Sequence, residues 1–330
     1  MNPPGYDTIA SMQSGAAPIR PGEELPVDAL AAWLQLPAIT VRQFPGGHSN
    51  LTYELTTPDG RQLILRRPPH GPIPPKAHDM AREFRVLSAV YPHVPLAPRP
   101  LALCEDPAVL GAPFFLMEPR PGLILREPYA HPSPAALSQA FVDTLVQLHS
   151  VPLTSPALAA LGKPAGFVAR QVAGWSERWR HAATPHSPDA TRVLDFLAAH
   201  LPPEAPPSLV HNDYKLDNVV LQGAAITGVL DWEMTTLGDP LIDLGLALTY
   251  WDHAPGSGWF SRAELAAAWA RQTGRSLRHL PYHEVLGRFK LAVILQQIYA
   301  RWLRGQTQDP RFAHLDQRVA ALLEEAHSLL

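Results

Sequence analysis

His211-Asn212-Asp213-Tyr214-Lys215-Leu216-Asp217-Asn218, with Asp231-Trp232-Glu233 further along, is the stretch that decides the fold. Asn218 follows Asp213 by five residues and Asp231 follows Asn218 by thirteen. Phosphoryl-transfer sites of the kinase type use this spacing to supply one hydroxyl-orienting base and two oxygen ligands for Mg²⁺. On that reading Asp213 takes the substrate proton, and Asn218 and Asp231 hold the metal. The intervening segment makes the spacing workable. Val219-Val220-Leu221 and Ile226-Thr227-Gly228-Val229-Leu230 read as two short apolar strands around Gly223-Ala224-Ala225. A hairpin there brings Asn218 and Asp231 to the same open end, where two hard oxygen donors suit one hard cation.

A kinase-type site needs two further parts upstream, in fixed order: a glycine-bearing turn between strands, then a basic strand residue followed by a helix carrying Glu. Val41-Arg42-Gln43-Phe44, Pro45-Gly46-Gly47-His48-Ser49-Asn50 and Leu51-Thr52-Tyr53-Glu54-Leu55 read as strand, polar turn and strand. Gly46 and Gly47 let the backbone approach phosphate, and Ser49 and Asn50 add polar groups. An ordinary hairpin turn is the simpler reading of this segment taken alone. Leu63-Ile64-Leu65-Arg66-Arg67 is an apolar strand ending in positive charge, and Ala81 to Leu87 is an amphipathic helix containing Glu83. The chain has four lysines, Lys76, Lys163, Lys215 and Lys290, and none falls on a strand of this first region. Arg66 therefore takes the position of the phosphate-side base with Glu83 as partner, and Arg67 points to the opposite face.

The ordered set resembles the aminoglycoside phosphotransferase and choline kinase group. Gly-Gly-His-Ser-Asn, Leu-Arg-Arg-Pro-Pro, Arg-Glu-Phe, Phe-Leu-Met-Glu, the His211 to Asn218 run and Gly-Asp-Pro-Leu-Ile-Asp-Leu-Gly are similar to one branch in particular. That branch includes the kinase-like domain of some acyl-CoA dehydrogenase family proteins. The resemblance spans about Val41 to Arg311. It implies an α+β, two-lobed, protein-kinase-like fold: a small first lobe over 1–118 with an antiparallel sheet, and a larger helical lobe over 119–330. It also implies ATP and Mg²⁺ as cofactors, a small-molecule hydroxyl as acceptor, and Arg66 as the branch's variant of the strand lysine. Met117 and Glu118 fall where such proteins pass into the hinge, so backbone groups from Glu118 onward meet adenine. Asn212 stands where the group often has Gly. The acceptor implied is a hydroxyacyl-CoA or related acid. An antibiotic kinase and a non-catalytic nucleotide-binding regulator are the alternatives.

Composition sets the outer bounds. The chain has 330 residues, 46% of them hydrophobic, and a net charge of −3 without a Lys/Arg-rich run, so nucleic acid is not an expected partner. A single cysteine, Cys104, forms no internal disulfide, and neither a signal-like apolar core nor an 18-residue apolar run is present. A soluble, cytoplasmic protein with no membrane partner is the expectation. No G-x-x-x-x-G-K-[ST] or G-x-G-x-x-G stretch competes for nucleotide. Asp239 reads as a helix cap, and Asp243 as the residue tying the catalytic hairpin to the helices. Glu233 reads either as a further carboxylate beside metal and acceptor or as a surface residue. Lys215, Trp251, His253, Tyr299, Arg301 and Trp302 are acceptor-side candidates, with aromatic packing the competing reading. Arg288, Lys290, Arg301 and Arg304 favour a neutral or anionic acceptor.

Overall fold

The structure is a computed structural model that describes residues 15–45, 50–69, 78–126, 130–251, 257–307 and 309–330. In chain order the first elements are α1 (Val27–Trp33), β1 (Thr40–Gln43), β2 (Leu51–Thr56), β3 (Gln62–Arg67) and α2 (Met80–Val90). Next come β4 (Pro100–Cys104), α3 (Pro107–Leu110), β5 (Phe114–Met117), α4 (Pro134–His149), α5 (Pro156–Ala159) and α6 (Phe167–Ala182). Then follow α7 (Thr191–Ala199), β6 (Ser208–Val210), β7 (Val219–Gln222), β8 (Ala225–Val229) and β9 (Thr236–Gly238). The last elements are α8 (Leu241–Trp251), α9 (Arg262–Thr273), α10 (Leu280–Leu303) and α11 (Leu315–His327).

The chain forms two compact units. One comprises 1–133 with 216–234, and the other 134–215 with 235–330. The antiparallel sheet of the first unit has strand order β1-β2-β3-β5-β4. Strand alternation sorts its side chains. Leu51, Tyr53 and Leu55 of β2, Leu63 and Leu65 of β3, and Phe114 and Leu116 of β5 share one core with Leu25, Leu30 and Leu110. Each such aliphatic side chain contributes about 2 kcal/mol of burial. The other face carries Ile64, Arg66 and Phe115, and the Phe115 ring meets Phe84 of α2 edge-on at 6.1 Å. Helix α2 starts at Asp79, whose side chain accepts from the Arg82 N–H at 2.8 Å. Its buried positions Glu83, Val86, Leu87 and Val90 recur at helical spacing, so Glu83 is the charged member of an apolar face.

The β7–β8 hairpin joins this unit and not the second lobe in which it was expected. Val229 N–H donates to the Leu96 carbonyl at 2.9 Å, Leu221 bridges Leu123, and Arg120 Nε donates to the Thr227 carbonyl at 3.0 Å. The Leu123 bridge requires glycine at 122: φ there is +129°, and a Cβ would lie 2.2 Å from the Leu221 carbonyl oxygen.

The second unit is mainly helical, with the two-stranded pair β6–β9 as its sheet. Two of its elements, β6 and β9, carry no periodic signature at three residues each. Helices α8 and α10 pack backbone to backbone at Gly245, where a Cβ would come within 2.5 Å of the His283 carbonyl oxygen. Asp239 precedes α8 as expected, accepting from the Leu241 N–H at 2.9 Å.

Candidate active site

In the first unit the charged strand end is buried on both faces. Arg66 is 8% exposed and Arg67 3%, so neither is a solvated charge. Arg66 lies opposite Thr52 and Phe115 on the α2 side, and Arg67 lies opposite Leu51 on the side of the apolar core. The Arg66 guanidinium meets the Glu83 carboxylate at 3.4 Å and donates to Asp231 Oδ1 at 3.1 Å. Burial acts to lower the Arg66 pKa, but the charges of Glu83, Asp231 and Glu233 outweigh it and hold the guanidinium protonated. Burial also pushes the Glu83 carboxyl up, with Arg66 opposing. One guanidinium thus faces three acidic side chains.

The hairpin sets the oxygen donors. Asn218 ends a 3₁₀ turn just before β7, its carbonyl accepts from the Leu230 N–H at 2.8 Å, and Asp231 follows at once. Asp231 has φ +68°, a left-handed conformation that costs a non-glycine residue energy and is characteristic of functional positions. Trp232 is buried, donating from Nε1 to the Val229 carbonyl at 2.7 Å, and the flanking acids Asp231 and Glu233 are half-buried. Glu233 accepts from Asn50 Nδ2 at 3.1 Å, and the Asn50 oxygen pairs with His78 Nδ1 at 2.9 Å. An amide oxygen only accepts, so Nδ1 of His78 carries the proton. Gly46, Gly47, His48 and Ser49, the rest of the expected phosphate turn, lie outside the described residues, as does His253. The side chains of Asn218 and Asp231 are a hard-oxygen pair that fits Mg²⁺.

In the second unit the segment around Asp213 is built from backbone clamps. Asp243, fully buried in the first turn of α8, accepts the His211 and Asn212 N–H groups at 2.6 Å each. It also meets His149 Nε2 at 3.2 Å. Trp269 Nε1 donates to His149 Nδ1 at 3.0 Å, and an indole nitrogen is donor-only, so Nε2 bears the histidine proton and points at Asp243. Burial acts to raise the Asp243 pKa, but hydrogen bonds from His149 and His211 outweigh it and hold the carboxyl below its ordinary 3.8. Asn212 has φ +64°. Glycine reaches that region freely and asparagine tolerates it, which accounts for Asn where the family often has Gly.

The Asp213 carboxylate meets Lys215 and Tyr250, and the Asp213 N–H donates to His211 Nδ1 at 3.3 Å. Lys215 Nζ lies 3.1 and 2.9 Å from the Asp213 oxygens, and the Tyr250 hydroxyl donates to Oδ1 at 3.4 Å. The ammonium of Lys215 also sits 4.9 Å over the Tyr250 ring. Tyr250 was not singled out in the sequence, although it follows Asp243 by seven residues and so shares its helix face. Trp251, which was singled out, is 5% exposed and packs on Phe141 and Trp259.

The remaining acceptor-side candidates lie on α10. Tyr299 stacks on Trp302 at 6.0 Å, and Arg301 is exposed. Lys290 is 1% exposed and donates to the Asn212 carbonyl, and Arg288 is buried with Glu325 at 3.6 Å. These two cations are therefore structural, and the charge argument for an anionic acceptor rests on Arg301 and Arg304 alone. At the expected hinge Met117 is buried in β5, and the Glu118 N–H is committed to the Arg99 carbonyl at 2.9 Å.

A model of the phosphotransferase enzyme family matches residues 40–280, and the chain belongs to that family. Acyl-CoA dehydrogenase family member 10 of Mus musculus is 34% identical, with 88% of this chain and 30% of the relative matched. Acyl-CoA dehydrogenase family member 11 of Homo sapiens is 33% identical over 86% of this chain and 39% of its own. The chain thus spans well under half the length of these relatives. Among solved structures, a Ralstonia eutropha JMP134 protein provisionally described as an aminoglycoside phosphotransferase superposes with a TM-score of 0.76 and 27% identity. That match covers 93% of this chain and 98% of the neighbour. A thermostable mutant of aminoglycoside phosphotransferase APH(4)-Ia, solved with ADP and hygromycin B, has a TM-score of 0.62 at 17% identity, over 91% of this chain and 98% of its own. The fold is therefore the kinase-like fold of these phosphotransferases. Among the described residues no helix is long and apolar enough to cross a membrane.

Proposed function

We propose that the protein transfers the γ-phosphoryl group of ATP to a hydroxyl of a small molecule, with Asp213 as base. The observation that carries this reading is the construction around Asp213. Both backbone N–H groups preceding it are held by one buried carboxylate, and its own carboxylate is contacted by Lys215 and Tyr250. Orientation of this kind is the principal contribution a protein makes to phosphoryl transfer. The acceptor oxygen forms a bond to Pγ, the bond from Pγ to the β,γ-bridging oxygen breaks, ADP leaves, and the hydroxyl proton passes to Asp213. Lys215, already beside that carboxylate, offsets charge on the transferring oxygens.

Asn218 and Asp231 would hold Mg²⁺, which neutralises phosphate charge when bound. Arg66, kept cationic by Glu83 and Asp231, serves the α- and β-phosphates in place of a strand lysine. Asn50 is a further phosphate-side residue. With the Glu118 N–H already occupied, its carbonyl is the group offered to the adenine amine.

For the acceptor, likeness to the acyl-CoA dehydrogenase family members favours a hydroxyacyl-CoA or related acid. Exposed Arg301 and Arg304 agree with a negatively charged substrate. Screening ATP consumption against hydroxylated metabolites, including hydroxyacyl-CoAs and aminoglycosides, tests this, with ³¹P NMR locating the phosphate. Phosphorylation of a hydroxyacyl-CoA is expected. Turnover with aminoglycosides alone would overturn the acceptor assignment, and nucleotide binding without transfer to any hydroxyl would leave a regulatory module.

A further inference from the structure

Lys290 has no role in the reading above, yet it is the most unusual cation in the second unit. It lies mid-way along α10, on a helix that packs closely against α8 at Gly245, and its side chain is among the largest fully buried ones. A buried ammonium is costly unless its donors are used. This one donates to the main-chain carbonyl of Asn212 and faces the Trp175 ring with 5.5 Å to the centroid.

That carbonyl belongs to the peptide joining Asn212 to Asp213. The other peptide of Asn212 donates its N–H to Asp243 at 2.6 Å. The left-handed residue before the base is thus held at both ends, by an anion from α8 and a cation from α10. The charged groups around Lys290 come from three elements. Asp213 and Lys215 lie on the loop, Asp243 on α8 and Arg178 on α6; the two aspartates favour the ammonium and the two cations oppose it.

We propose that Lys290 is a positioning residue: its buried ammonium holds the Asn212–Asp213 peptide, and with it the Asp213 carboxylate, in the orientation from which phosphoryl transfer proceeds. This rests on the assignment of Asp213 as the base. Burial lowers the Lys290 pKa from 10.5 to about 8, so the clamp loses its charge at mildly alkaline pH. A charged donor makes a hydrogen bond roughly twice as strong as a neutral one. The loop should therefore loosen as pH rises through 8.

Hydrogen exchange of the full-length wild-type chain, read on peptides spanning 208–216 from pH 6.5 to 9.5, tests this without any substrate. After correction for intrinsic exchange, protection of the His211 and Asn212 amides should fall about five-fold across pH 8, the scale set by weakening one charge-assisted bond. Protection in β2 should not change. Lys290→Met should show low protection throughout, and Lys290→Arg, which keeps its charge, a flat profile. Constant wild-type protection across the range would overturn the inference, whether or not the variants fold. In a transfer assay, Lys290→Met should lose about 10²-fold in kcat with KM for ATP unchanged, the scale of a misplacement near 1 Å. If the exchange result holds but Asp213→Asn keeps full turnover, the base assignment fails and the clamp stands. If Asp213→Asn is inactive and Lys290→Met is as active as wild type, the positioning role fails alone.

Discussion

Two charged clusters of this protein, around Asp243 and around Arg66, are held in opposite ways. Around Asp243 the acceptor is matched by donors: one buried carboxylate takes two backbone N–H groups and a histidine N–H, and its preference for ionisation follows from those donors. Around Arg66 the charges are unmatched, with one guanidinium against Glu83, Asp231 and Glu233. The first arrangement is complete without any ligand and fixes a loop. The second gathers three acidic side chains around one guanidinium and holds Asp231 at φ +68°, and under the proposed function it is the half that would take the cation. Preorganisation and ligand demand are assigned to different parts of the chain.

The comparison predicts different losses on each side. On the demanding side, Asp231→Ala should abolish Mg²⁺-dependent binding of ATP, measured by calorimetry, while leaving the melting temperature near wild type. Unchanged affinity would move the metal site, with Glu233 first in line. On the matched side the loss should be one of stability. Asp243→Ala strands two backbone donors and His149 in the core and should cost about 3 kcal/mol or more, at roughly 1–3 kcal/mol per orphaned buried group. Denaturant unfolding checks it, and a cost below about 1 kcal/mol would mean that the loop does not depend on this carboxylate.

A smaller effect sharpens the role of the arginine pair. Arg66→Ala should weaken ATP binding strongly, because Arg66 alone faces Asp231, and Arg67→Ala should act mainly on stability, because Arg67 faces the apolar core. Arg66→Lys should keep part of the affinity, since the charge survives and the fork does not. Equal effects of the two alanine substitutions on ATP affinity would break the distinction between the faces.

Much of this was legible in the sequence where periodicity and spacing carry the information. Alternation along Leu63 to Arg67 separates Arg66 from Arg67. The strand pair between Asn218 and Asp231 is visible as two apolar runs, whereas Asp243, read as a tie to that hairpin, instead clamps the His211–Asn212 loop that precedes it. What escaped were features that need three dimensions. Strands β6 and β9 are too short to show a period, and the hairpin's membership of the first unit depends on Leu96, Leu123 and Arg120, remote in sequence. Lys290 read as an acceptor-side cation because burial is not written in residue type. Tyr250 was passed over for the larger Trp251, although the helical repeat from Asp243 points to the tyrosine.

The central claim is that Asp213 accepts the hydroxyl proton during phosphoryl transfer, and turnover of Asp213→Asn measured beside its ATP affinity tests it most directly. The account predicts ATP binding close to wild type and turnover lower by about 10²-fold or more, the scale of a lost general base. Near-normal turnover in that variant would contradict it.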